Sequence, residues 1–270
     1  MKRISVEQAF LWSQRFVARE WRLLLPVALA FLALPALLMD VLLPDSAREL
    51  LVPLHPPTTF SPEIYGVALL ASFLVLLLVW VGMVALVALA LVPRISVAEA
   101  LGLGLRRLGS MVVIWLMFVG ILLLATLTAA IAIGLAPIDL AAQQKLLVGV
   151  SLGVFLFVGV RAAMTVPVLV EGRTGAVTAV CRAWALSRGI FWRLFGAYAI
   201  YLIGASVVLL ALLTAIGTLF TLGAKATGLA ELGVILITVT TRVGMAALLA
   251  GLPILTVGIY RQLAGTRNGM

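Results

Sequence analysis

Residues 64–92 read IYGVALLASFLVLLLVWVGMVALVALALV, with no Asp, Glu, Lys or Arg among them. About 20 mostly apolar residues carry an α-helix across a hydrocarbon core roughly 30 Å thick, because each residue rises ~1.5 Å. A helix is also the simplest structure that pairs every backbone N–H and C=O without help from water. The stretch exceeds that length, so it reads as a membrane span. Working outward, five further stretches read the same way. Residues 23–43 contain Pro26 and Pro35, with Asp40 near the far end; residues 111–138 and 194–224 are uncharged; residues 146–170 contain Arg161; residues 232–260 contain Arg242. The expected fold is all-α, a polytopic membrane protein of six transmembrane helices in a single membrane domain.

Composition agrees. The chain is 64% hydrophobic and 11% charged, against about 45–50% and about 25% in a soluble domain. Its net charge of +9 is spread in short clusters between apolar runs, which suits lipid head groups better than nucleic acid. One cysteine, Cys181, and one histidine, His55, exclude an intramolecular disulfide and a Cys/His zinc site. No cofactor or metal is expected. Lys2 and Arg3 precede the first apolar run, but that run starts only at Leu23 and no small-x-small cleavage site follows it, so a retained helix is expected.

Cytoplasmic loops retain Lys and Arg. With the N-terminus inside, Lys2, Arg3, Arg15, Arg19, Arg22, Arg94, Arg106, Arg107, Arg173, Arg182, Arg188, Arg193, Arg261 and Arg267 share one side. Only Arg48, Lys145 and Lys225 fall on the other. The expected location is a bacterial inner membrane with both termini cytoplasmic.

An internal repeat is visible. Arg3-Ile4-Ser5-Val6 recurs as Arg94-Ile95-Ser96-Val97, each followed by an alanine, Ala9 or Ala100. Ser5 with Gln8 and Ser96 with Glu99 have the spacing of capping boxes, in which serine and the longer side chain pair each other's free amides. A third unit starts near Gly175 without such a box. Val81-Gly82-Met83 with Pro93, Val243-Gly244-Met245 with Pro253, and more loosely Val158-Gly159 with Pro167, mark the second span of each unit. Three units are expected, about 3–92, 94–170 and 175–260, each an interfacial amphipathic helix followed by a transmembrane hairpin.

Residues 161–171 and 179–189 carry an arginine (Arg161), then proline and glutamate (Pro167, Glu171), then an Ala-Val-Cys-Arg-Ala-Trp-Ala-Leu-Ser-Arg-Gly stretch. In this the chain resembles the membrane domain of some bacterial glycerophosphoryl diester phosphodiesterases and the stand-alone YciC-like membrane proteins. Val180 and Ala183 stand where that group commonly has leucine and serine. The resemblance implies a six-helix membrane fold without the catalytic domain.

Charge inside a span costs at least about 2.5 kcal/mol, so Arg161 and Arg242 need an explanation. One reading is a candidate intramembrane anion site, because the arginine fork suits phosphate. The other has Arg161 reaching the interface or pairing with Glu171, and Arg242 pairing with Asp40 or backbone carbonyls. Thr214, Thr218 and Thr221, with Thr238 and Thr241 beside Arg242, can line a cleft or bond their own helices. Gly149 and Gly153 form a small-xxx-small face for packing in the bundle or in a homo-oligomer. Arg15, Arg106, Arg107, Arg182, Arg188 and Arg193 are candidate contacts for membrane phospholipid head groups. No nucleophile and base can be named. The expectation is a non-enzymatic inner-membrane protein that interacts with phospholipid through basic interfacial helices. The alternative is a transporter or flippase of a lipid-like or anionic solute using Arg242 and the threonines.

Overall fold

Apolar runs of this length leave the backbone no partner but itself, and all regular structure described in the computed structural model is helical. Residues 5–42, 62–135, 139–172, 175–228 and 230–265 are described. They form α1 (Val6–Ala28), a π-helical turn (Leu29–Ala33), α2 (Leu34–Leu42), α3 (Pro62–Leu91), α4 (Val97–Gly134), α5 (Leu140–Ala162), α6 (Thr165–Glu171), α7 (Ala176–Ser187), α8 (Phe191–Thr227) and α9 (Ala230–Gly265). Six stretches are long and apolar enough to cross a membrane: Val6–Asp40, Gly66–Leu91, Val97–Gly134, Leu140–Glu171, Phe191–Thr227 and Glu231–Ala264. Arg48 and His55 lie outside the described residues, as do Lys2, Arg3, Arg173 and Arg267.

Ser96 caps α4 as its sequence anticipates. Its hydroxyl accepts from the Glu99 amide at 3.2 Å, and the Glu99 carboxylate accepts from the Ser96 amide at 2.9 Å. Ser96→Ala is expected to cost about 1 kcal/mol. Faster amide hydrogen exchange over residues 97–99, with α3 unaffected, would show it. At Ser5 only half the box forms. The hydroxyl accepts from the Gln8 amide, but the Ser5 amide donates to Gln262 Oε1 at 3.1 Å and Gln262 Nε2 donates back to the Ser5 carbonyl at 3.0 Å. Gln262 of α9 thus replaces Gln8 and ties the start of the chain to its last helix.

The polar lead-ins of the first two units are not separate interfacial helices. They are the first turns of the spans, continuous over Val6–Asp40 and Val97–Gly134; the capping serines start helices that no residue then stops. The first span bends instead through the π turn between Pro26 and Pro35, where the Leu34 amide donates to Leu29. Proline removes a helical donor and crowds the preceding turn, and a single wide turn absorbs that change of register. Only the third lead-in, α7, stands apart.

The fourth span is broken, its continuous run ending at Ala162 and resuming at Thr165. Pro167 explains the restart, since in the first turn of a new helix its missing N–H is no loss.

The helices sort into inner and outer sets. In their most apolar windows 56% of the α9 span, 44% of the α3 span and 33% of the first span are buried, against 11% of the fourth and none of the third and fifth. Leu123, Leu124, Leu127, Leu146, Val148, Phe155, Val207 and Leu210 are exposed on the outer set, an apolar surface suited to lipid. The buried core includes Ala9, Val84, Leu86, Ala100, Leu169, Ala179, Leu194, Leu255 and Leu263. These residues sit where α1, α4 and α8 begin and α3 and α9 end, which is also where the arginines gather.

Candidate functional site: an arginine-rich cleft

Along α1, Trp12, Arg15, Phe16, Arg19 and Leu23 recur at intervals of three or four and so share one face. That face is one wall of a cleft of about 520 Å³, closed by Leu89, Ala90, Val92, Pro93, Arg94 and Ile95 and by Arg261 near the end of α9. Trp12 stacks on Phe16 with ring centroids 5.2 Å apart, and the Arg261 guanidinium lies 5.0 Å from the Trp12 centroid. The stack fixes Arg261 at the rim through cation–π attraction.

Arg94 adopts φ 61° and is the one described non-glycine residue at positive φ. The left-handed region costs a side-chain-bearing residue roughly 1–2 kcal/mol. That conformation turns the link between α3 and α4 so that Arg94 lines the cleft. Arg19 is engaged by its neighbour Glu20, Nε to Oε1 2.8 Å. Arg15, Arg94 and Arg261 have no carboxylate partner among the described residues. Three uncompensated cations thus border one cavity, an electrostatic field that attracts anions.

The structure brings Arg15 to this cleft and leaves the other candidate head-group arginines outside it. Arg106, Arg182, Arg188 and Arg193 are exposed elsewhere on the described surface. Arg107 is directed inward, its Nη2 donating to the Gly172 carbonyl at 3.0 Å and joining α4 to the end of α6. Arg19, Arg94 and Arg261 were legible only as members of a charge cluster. The aromatic residues at the spacing of Trp12 and Phe16 were the available signal.

The intramembrane candidates do not converge. Arg242 is held by Asp40 in a two-pronged ion pair, Nε to Oδ2 and Nη2 to Oδ1 both 2.6 Å. Of the two readings of Arg242 this is the pairing with Asp40, and two of its donors are satisfied within the chain. Thr214 donates to the Leu210 carbonyl, Thr218 to Thr214, Thr221 to Thr218, Thr238 to Val234 and Thr241 to Ile237. Their hydroxyl protons are spent on their own helices.

Arg161 does not pair with Glu171. Glu171 instead accepts from the Tyr260 hydroxyl. The Arg161 guanidinium lies 4.7 Å from the Phe157 ring centroid, 4.6 Å from Trp184 and 5.9 Å from Phe191. Phe157 precedes Arg161 by one helical turn, so that part of the arrangement was legible; the other two rings come from α7 and α8.

A methyl at Gly149 or Gly153 would meet nothing within 4 Å, so this face is not packed inside the bundle. Cys181 is exposed. On the other side of α1 an apolar groove of about 820 Å³ runs against α8 and α9. Its Tyr201 hydroxyl is committed to the Leu248 carbonyl at 2.7 Å, so the groove offers little polar chemistry. No family model, curated protein or solved structure matches the chain significantly.

Proposed function

We propose that this is a non-enzymatic inner-membrane protein that holds anionic phospholipid head groups at its cytoplasmic face, in the cleft bounded by Arg15, Arg94 and Arg261. The observation that carries the reading is three guanidinium groups without an ion-pair partner among the described residues around one cavity of about 520 Å³, whose lining carboxylate, Glu20, is engaged by Arg19. The excess of arginine at that end of the bundle orients it toward the cytoplasm. Both termini then lie inside. The transport alternative loses support, since the Asp40 ion pair and the threonine hydrogen bonds satisfy the groups it relied on.

Each basic side chain near an anionic surface contributes about 1 kcal/mol. Replacing Arg15, Arg94 and Arg261 together with glutamine is therefore expected to weaken phosphatidylglycerol binding by at least about tenfold at low salt. Titration of the delipidated protein, followed by native mass spectrometry, measures the effect. Wild-type affinity in a folded triple variant would refute the reading. Binding by the unaltered protein should also fall as salt shortens the Debye length to about 8 Å at 0.15 M.

A further inference from the structure

Away from the cleft, two buried side-chain polar atoms among the described residues have no hydrogen-bond partner: Arg161 Nε and Thr165 Oγ1. They lie four residues apart and flank the break between α5 and α6. Both failures of pairing therefore fall at one irregular point in one span. Buried polar groups are ordinarily paired, and an unpaired one needs a physical reason.

Arg161 also lacks a counter-charge. It has no ion pair among the described residues, while Phe157, Trp184 and Phe191 surround its guanidinium. Ring faces attract the cation by about 2 kcal/mol when desolvated, but they accept no conventional hydrogen bonds from its N–H edge. The Nη atoms likewise donate to no described group, and only Nε is counted among the buried unpaired atoms. The Nη edge therefore reaches the protein surface. Trp184 and Phe191 come from α7 and the first turn of α8, which places the clamp at the arginine-rich end of the bundle.

We propose that this clamp is a second lipid site, in which Arg161 receives the phosphodiester of a membrane phospholipid. The rings hold the guanidinium plane and leave its outer N–H groups to the phosphate oxygens, a planar two-point match that arginine makes well. One cation matches the single negative charge of a diester, whereas the cleft presents three. The inference does not depend on the cleft, since the two sites share no residue.

Phosphatidylglycerol binding to the delipidated full-length protein tests this by native mass spectrometry. Arg161→Met should weaken one binding step by about tenfold, while the triple glutamine variant of the cleft retains that step. Trp184→Leu keeps the charge and removes one clamping ring, so a loss of severalfold is expected there as well. It also serves if Arg161→Met does not fold. Wild-type affinity in either folded variant would overturn the proposal. Glycerophosphoglycerol, the deacylated head group, offers the same phosphodiester in soluble form. If it displaces phosphatidylglycerol from this step, the site is not a lipid site; persistence of the lipid supports the assignment.

Discussion

Arg242→Leu is expected to lower the apparent melting temperature of the purified protein by roughly 5–10 °C, and Asp40→Leu to do the same. Removing one member of a buried ion pair leaves the other uncompensated, typically at a cost of about 3–5 kcal/mol. Here the side chains retain 39% and 22% exposure for Arg242 and Asp40, so about 2–3 kcal/mol is the appropriate scale. For a chain of this size each kcal/mol shifts the midpoint by about 2–4 °C. The double variant Asp40→Leu/Arg242→Leu should recover most of the loss, because with both charges gone nothing in the span remains unpaired. Thermal melts at a fixed scan rate measure all three. A wild-type midpoint for Arg242→Leu would mean that the arginine does not depend on Asp40. Failure of the double variant to recover would mean that each charge has another partner. The pair joins α2 to α9, so it also pins the first span beyond the π turn to the most buried helix of the bundle.

That ion pair shows how far the sequence could be read. A lone arginine deep in a span demands a partner on energetic grounds, and Asp40 is the one carboxylate within the six apolar stretches. The six spans were legible for the same reason: long uncharged runs have few alternatives in a bilayer. What could not be read required knowing which distant elements meet. Gln8 and Gln262 have the same side chain, and the local box loses to the tertiary contact only because α9 ends beside Ser5. Arg94 and Arg261 belong to the cleft because a left-handed turn and the last turn of α9 face the same side of α1. Ser5 and Ser96 marked where α1 and α4 start, yet they could not say where those helices stop. Two of its three motif glycines have a packing role that spacing alone left open. A methyl at Gly82 would strike Phe31 and one at Gly244 would strike Leu209, whereas Gly159 has open space.

Glycine also supplies the second large effect, and its sign changes along one helix. Gly102, Gly104 and Gly109 all lie in the first half of α4. A Cβ at Gly104 would sit 2.8 Å from the Val81 carbonyl oxygen and 3.3 Å from the Val81 Cα. Those atoms are backbone of α3 and cannot rotate away, so the two helices must separate, and every contact near Ala85 and Ala100 loosens with them. Overpacking of a core costs about 1–3 kcal/mol, and a clash with backbone belongs at the upper end, so Gly104→Ala should lower the midpoint by about 6–10 °C. At Gly102 and Gly109 a methyl meets nothing within 4 Å. There alanine gains the helix propensity that glycine lacks, up to about 1 kcal/mol, and the midpoint should rise by a few degrees or stay level. Three single-methyl variants of one helix therefore separate close approach from propensity. If all three shift the midpoint in the same direction, α4 does not rest its backbone on α3 at Gly104, and the wall of the cleft that runs from Val92 to Ile95 loses its anchor.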